Sequence, residues 1–125
     1  MIRNVTPMLA VADIPAACEF MRACFGFTTR SAFPGYAWSG RDGGAVRFVQ
    51  APEGSDMDNV ARQVAIYLDV TDVDALWADH QNAISALPET HRQPPADTEH
   101  GQREFVLIHG PFMFVAGQPK RSETP

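Results

Sequence analysis

The side chains best able to do chemistry in this chain are four histidines, His80, His91, His100 and His109, and two cysteines, Cys18 and Cys24. Transition metals are held by imidazole, thiolate and carboxylate groups brought together at short, regular spacings. No H-x-H, H-x-x-x-H or C-x-x-C spacing occurs. On one helix, cysteines six residues apart are separated by roughly 240° around the axis, so they do not pair and read as small buried side chains. His80 reads as a boundary residue of a helix, and His91 and His100 as solvated loop residues. There is no G-x-S-x-G nucleophile turn and no Gly-rich phosphate loop. Gly40, Gly43 and Gly44 punctuate a hairpin instead. What remains is a permanent cation, Arg47, inside an apolar strand, with the large side chains Phe33, Tyr36, Trp38, Tyr67 and Met113. Such a set suits planar or amphipathic small molecules, which bind by stacking and loss of water, with a guanidinium to orient them.

These residues need elements to position them, and the chain supplies the elements twice. Met8-Leu9-Ala10-Val11-Ala12-Asp13-Ile14-Pro15-Ala16 lies over Tyr67-Leu68-Asp69-Val70-Thr71-Asp72-Val73-Asp74-Ala75 when the sequence is shifted by 59 residues. Each copy opens with alternating apolar residues: Val5, Pro7, Leu9 and Val11 in the first, Val64, Ile66, Leu68 and Val70 in the second. Alternation predicts strands with one buried face. Asp13 and Asp72 follow as N-caps, each ahead of an amphipathic helix. The first helix carries Ile14, Ala17, Phe20, Met21 and Cys24 and stops near Gly26. The second carries Val73, Leu76, Trp77 and His80 and fades near Ala83-Ile84.

Further strands are expected at Phe27–Phe33, Tyr36–Ser39 and Ala45–Gln50, and then at Arg103–His109 and Phe112–Ala116. Pro34-Gly35, Asp42-Gly43-Gly44 and Gly110-Pro111 supply turns. The second strand of the second copy is expected near Ile84–Leu87, with a loop from Pro88 to Gly101. The fold class is therefore α+β: two βαβββ modules in tandem forming a curved mixed sheet with helices outside. The modules span about 4–52 and 61–118 of a single domain of residues 1–125, with a polar tail over 119–125. Strand alternation then sets Thr6, Met8, Ala10, Arg47, Ala65, Tyr67, Asp69, Met113 and Val115 on the inner face, with Tyr36 and Trp38 placed there too.

Composition excludes other classes. Hydrophobic residues make up 45% and charged residues 20%, an ordinary globular balance. No apolar run approaches the ~18 residues of a membrane span, and Met1-Ile2-Arg3-Asn4 starts no signal peptide, so a cytoplasmic location is expected. Ten Lys/Arg against fifteen Asp/Glu give a net charge of −5 with no basic stripe, which argues against nucleic acid.

Val5-Thr6-Pro7-Met8-Leu9-Ala10-Val11-Ala12-Asp13-Ile14, with a helix ending in Cys24-Phe25-Gly26-Phe27, resembles the opening of vicinal oxygen chelate proteins. That superfamily includes glyoxalase I, extradiol dioxygenases, fosfomycin-resistance enzymes and bleomycin-resistance proteins. Ala45-Val46-Arg47-Phe48-Val49 and Val64-Ala65-Ile66-Tyr67-Leu68-Asp69-Val70 extend the match. Gly101-Gln102-Arg103-Glu104-Phe105-Val106-Leu107 is similar to the G-x-R-E-F run of bleomycin-resistance proteins. The usual D-P-x-G turn between the last strands is here His109-Gly110-Pro111. The resemblance implies a dimer with ligand grooves between its chains. It leaves open whether the modules pair within one chain or swap between two.

In metal-dependent members of that superfamily four side chains hold a divalent ion. The resemblance puts those positions at Thr6, Arg47, Ala65 and Met113. None offers an imidazole, carboxylate or thiolate, and Arg47 repels a dication. The expectation is therefore a metal-free and cofactor-free homodimer that sequesters a small molecule in a groove. Phe33, Tyr36, Trp38, Arg47, Tyr67 and Met113 would make the contacts, with no catalytic residue. The acidic net charge is compatible with a cationic glycopeptide. The alternative is a superfamily enzyme, a lyase, isomerase or dioxygenase with altered ligands, or a scaffold protein.

Overall fold

The computed structural model describes residues 1, 3–31, 34–55 and 64–120. The chain divides into two compact units, Met1–Asn59 and Val60–Pro125. The first contains β1 (Met8–Val11), α1 (Ile14–Phe25), β2 (Thr28–Arg30), β3 (Tyr36–Arg41) and β4 (Gly44–Gln50). Its strands form a four-stranded sheet in the order β1-β4-β3-β2, with β1 parallel to β4 and the other pairs antiparallel. A parallel pair cannot be closed by a hairpin, so the chain must cross over, and α1 makes the crossing.

The predicted signals define α1. Asp13 accepts a hydrogen bond from the Ala16 amide at 3.0 Å, and Gly26 ends the helix at φ 72°, a conformation that favours glycine. Ala17, Cys18, Phe20, Met21, Cys24 and Phe25 are buried at helical spacing. They pack with the sheet residues Leu9, Val11, Ala37, Val46 and Phe48 in the core. Arg41 donates to the Phe25 carbonyl at 2.9 Å, and Gln50 donates to the Ala12 carbonyl at 2.8 Å, so β3 and β4 are tied to the two ends of α1. Ser39 is wholly buried, with no hydrogen-bond partner for its hydroxyl among the described residues. The second strand is shorter than the expected Phe27–Phe33, and Phe33 lies outside the described residues.

The second unit repeats the plan with β5 (Val64–Asp69), α2 (Val73–Asp79), α3 (Gln81–Ser85), β6 (Arg92–Asp97), β7 (Gln102–His109) and β8 (Phe112–Pro119). The sheet order is β5-β8-β7-β6, with β5 parallel to β8. Asp72 caps α2 by accepting from the Ala75 amide at 3.0 Å, and the Gln118 side-chain carbonyl accepts from the Val73 amide. Val73, Ile84, Phe105, Leu107 and Phe114 form the core. Trp77 packs edge-on against Phe105 at 5.2 Å between ring centroids.

Two expectations are corrected here. Ile84 belongs to a helix, not a strand: α2 breaks at His80 and resumes as α3. The missing strand, β6, runs through the segment read as a loop and contains Pro94 and Pro95. Proline has no amide to donate, but β6 is an edge strand paired only with β7, and the ladder shifts register between Gln93 and Ala96. The last strand also continues to Pro119, past the expected Ala116.

Candidate functional site

Each sheet has one face toward its helices and one facing away. In the first sheet, register carries a row across all four strands on the face away from α1: Met8 pairs with Arg47, Arg47 with Trp38, and Trp38 with Arg30. The next rung joins Ala10, Val49 and Tyr36. Tyr36, Trp38 and Arg47, singled out in the sequence, are thus brought together. Arg47 donates through Nη1 to the Tyr36 hydroxyl, and its guanidinium lies 5.9 Å from that ring's centroid. The Arg30 guanidinium lies 5.5 Å from the Trp38 centroid.

The indole lies along its own strand over Gly40, where a Cβ would stand 2.5 Å from its Cη2 atom. Glycine at that position is what lets the ring lie down. Met8, 60% exposed, ends the row. Arg30 was not singled out in the sequence. It sits on a three-residue strand, and only the pairing register reveals that it stands beside Trp38.

In the second sheet the corresponding face carries Ala65, Tyr67 and Asp69 on β5, Met113, Val115 and Gly117 on β8, and Gln102, Glu104, Val106 and Ile108 on β7. Tyr67 and Met113 therefore share a face, on neighbouring rungs. Tyr67 reaches across Gly117, where any Cβ would overlap its hydroxyl. It donates to Glu104 Oε2 at 2.8 Å. His100 Nε2 meets the same oxygen at 3.1 Å, so His100 is bound to a carboxylate although its side chain stays 65% exposed. Removal of water from the hydroxyl, reinforced by the Glu104 hydrogen bond and the negative charges of Glu104 and Asp69, pushes the Tyr67 phenol up to about 12.

Glu104 was not singled out in the sequence either, and His100 is read there only as a solvated loop residue. Glu104 does lie within the G-x-R-E-F run, in phase with Gln102. The run's arginine faces the other way: Arg103 clasps Asp74 of α2 at 2.9 Å through two nitrogens and reaches Asp97 of β6 at 3.2 Å.

Register also relates the strands of the two repeats to each other. Met8 and Tyr67 are one repeat apart, and they pair with Arg47 and Val115 respectively. The position equivalent to Arg47 is thus Val115, two residues beyond Met113, which pairs with Ala65. The chain resumes pairing directly after the short Gly110-Pro111 turn, and His109 pairs with Phe112. The positions that the resemblance implies for a metal, Thr6, Arg47, Ala65 and Met113, do not fit one: one is a cation and none is an imidazole, carboxylate or thiolate. Among the described residues no three His, Cys, Asp or Glu side chains stand close enough to share an ion. A shallow depression of about 430 Å³ lies away from these rows, lined by Pro15, Cys18, Glu19, Arg22 and Phe27 to Thr29. Its charged pair, Glu19 and Arg22, is mutually satisfied.

A mixed sheet crossed by one capped helix, made twice at a spacing of 59 residues, is the module of a known family. Residues 4–114 match the Glyoxalase/Bleomycin resistance protein/Dioxygenase superfamily, and the chain belongs to it. Among solved structures it is similar to a bleomycin resistance determinant encoded on the transposon Tn5, with a TM-score of 0.77 at 16% identity over 96% of this chain and 100% of that one. It is similar to a bleomycin-binding protein complexed with bleomycin, with a TM-score of 0.77 at 18% identity over 95% and 100% of the two chains. The bleomycin-binding protein of Streptomyces verticillus, complexed with copper(II)-bleomycin, gives a TM-score of 0.68 at 20% identity over 98% and 100%. No curated protein matches the sequence. These likenesses bear out the α+β architecture of two βαβββ modules. No helix among the described residues is long and apolar enough to cross a membrane.

Proposed function

We propose that this chain binds and sequesters a small aromatic or amphipathic molecule in a groove without a metal ion or cofactor, a bleomycin-resistance-like role. In this reading the two modules act as one domain and the chain works as a cytoplasmic homodimer, with no nucleic-acid or membrane partner. Phe33, Tyr36, Trp38, Arg47, Tyr67 and Met113 would make the contacts. The observation that carries the reading is the arrangement of Trp38, Tyr36 and Arg47 on one sheet face, at the level where related enzymes need a metal donor and this chain has a guanidinium. Stacking surface with one directional charge favours capture of a planar molecule.

The test is a calorimetric titration of the chain with bleomycin and with simple fused-ring aromatics, with and without EDTA. Stoichiometric heat that survives the chelator and disappears in Trp38→Ala supports the reading. Stoichiometric manganese, iron, nickel or zinc on protein purified without chelator overturns it.

A second reading, a superfamily enzyme such as a lyase, isomerase or dioxygenase, draws on the Tyr67, Glu104 and His100 set. A phenol, a carboxylate and an imidazole joined through one oxygen can relay a proton. Turnover that is lost in both Glu104→Gln and Tyr67→Phe, with ligand binding retained, would favour it.

A further inference from the structure

The molecule's net charge of −5 is compatible with a cationic ligand, yet the charge on the aromatic face of the first sheet has the opposite sign. On that face the described residues are Met8, Ala10, Thr28, Arg30, Tyr36, Trp38, Gly40, Ala45, Arg47 and Val49. Two are guanidinium-bearing and none is acidic. Arg30 and Arg47 occupy the rungs on either side of Trp38. Among the described residues neither pairs with a carboxylate. Among the described residues Arg47 donates to the Tyr36 hydroxyl, and its other side-chain N–H groups find no acceptor there. Among the described residues Arg30 meets only the face of the indole. Elsewhere arginines of this chain do find carboxylates, Arg22 with Glu19 and Arg103 with Asp74 and Asp97.

From this we infer that the ligand taken by the first module is a planar aromatic carboxylate: its ring lies against Trp38 and its carboxylate is held by Arg47, with Arg30 adding positive potential at the sheet edge. The inference rests on the proposed binding role and names the ligand class. A guanidinium presents parallel N–H donors that match a carboxylate, and the match is strongest where no other acid competes. A cationic ring system on this face would meet two fixed like charges.

Three probes sharing one fused ring separate charge from stacking: 2-naphthoate, 2-naphthamide and 2-naphthylmethylammonium. Each is titrated calorimetrically into the full chain at low salt. The expected result is naphthoate binding about ten-fold or more tighter than the amide, with the ammonium weakest. That preference should shrink as salt is raised to about 0.5 M, because screening acts on the charge and not on the ring. The preference for naphthoate over naphthamide should collapse in Arg47→Met and fall partly in Arg30→Gln. Arg30 is exposed on an edge strand, so Arg30→Gln tests the inference even if Arg47→Met fails to fold. Amide or ammonium binding as tight as naphthoate overturns the anion assignment and leaves the broader reading standing. Binding of none of the three overturns the assignment too. The bleomycin and Trp38→Ala titration then decides the broader reading separately.

Discussion

At the scale of single residues, two glycines shape the exposed faces. Gly40 admits the Trp38 indole and Gly117 admits the Tyr67 phenol. Gly117→Ala should expel Tyr67 from Glu104 and return its titration toward the ordinary value near 10. The measurement is absorbance of the ionised phenol in a Tyr36→Phe background, which leaves one tyrosine. The parent should titrate near 12, and Glu104→Gln should bring the midpoint down. A parent midpoint near 10 would contradict the hydrogen bond. The linkage has a definite sign. Tyr67 binds its proton more tightly in the folded state than in the unfolded one, so its contribution to stability is complete below pH 10. It falls away as pH rises from 10 toward 12. The sequence revealed Tyr36, Trp38 and Arg47 because their types and strand parity are visible along the chain. It did not reveal Arg30 or Glu104, because which residues stand side by side depends on ladder register, which a single strand does not encode.

At the scale of elements, the helix starts were legible because capping chemistry is local. Asp13→Ala and Asp72→Ala should each cost about 1 kcal/mol of stability, read as a shift in the urea midpoint at unchanged slope. Gly26→Ala should cost about 1 kcal/mol as well, since φ 72° strains any residue with a Cβ. The two ladders of β3 with β4 and β7 with β8 were readable for the same reason: alternation and turn residues are short-range signals. The break at His80 and strand β6 were not. Three prolines, Pro88, Pro94 and Pro95, carry a strong local signal for a loop. Only the tertiary fact that β6 is an edge makes their missing amides harmless. Arg92 helps to hold that edge by donating through Nε to the Leu87 carbonyl at 3.1 Å.

At the scale of the whole chain, the 59-residue shift recovers two units with their own sheets and their own cores. Phe48 is 1% exposed and Phe105 is 0% exposed, so Phe48→Ala in the first unit and Phe105→Ala in the second should each cost about 3–5 kcal/mol in denaturant unfolding. Family membership was legible through short strings of sequence, whereas the ligand was not, because this fold serves many chemistries. Both cysteines of the chain lie buried on α1, and the second unit has none. Burial, with the nearby Glu19 charge, raises the Cys24 thiol to about 11, so almost no reactive thiolate exists at neutral pH. An aromatic disulfide reagent must therefore wait for α1 to come away from its sheet before it can modify Cys24. In a Cys18→Ser, Trp38→Phe background its rate clocks the opening of the first half alone, while Trp77 emission follows the second. Modification that outruns the change at Trp77 would mean that the two halves breathe on separate schedules.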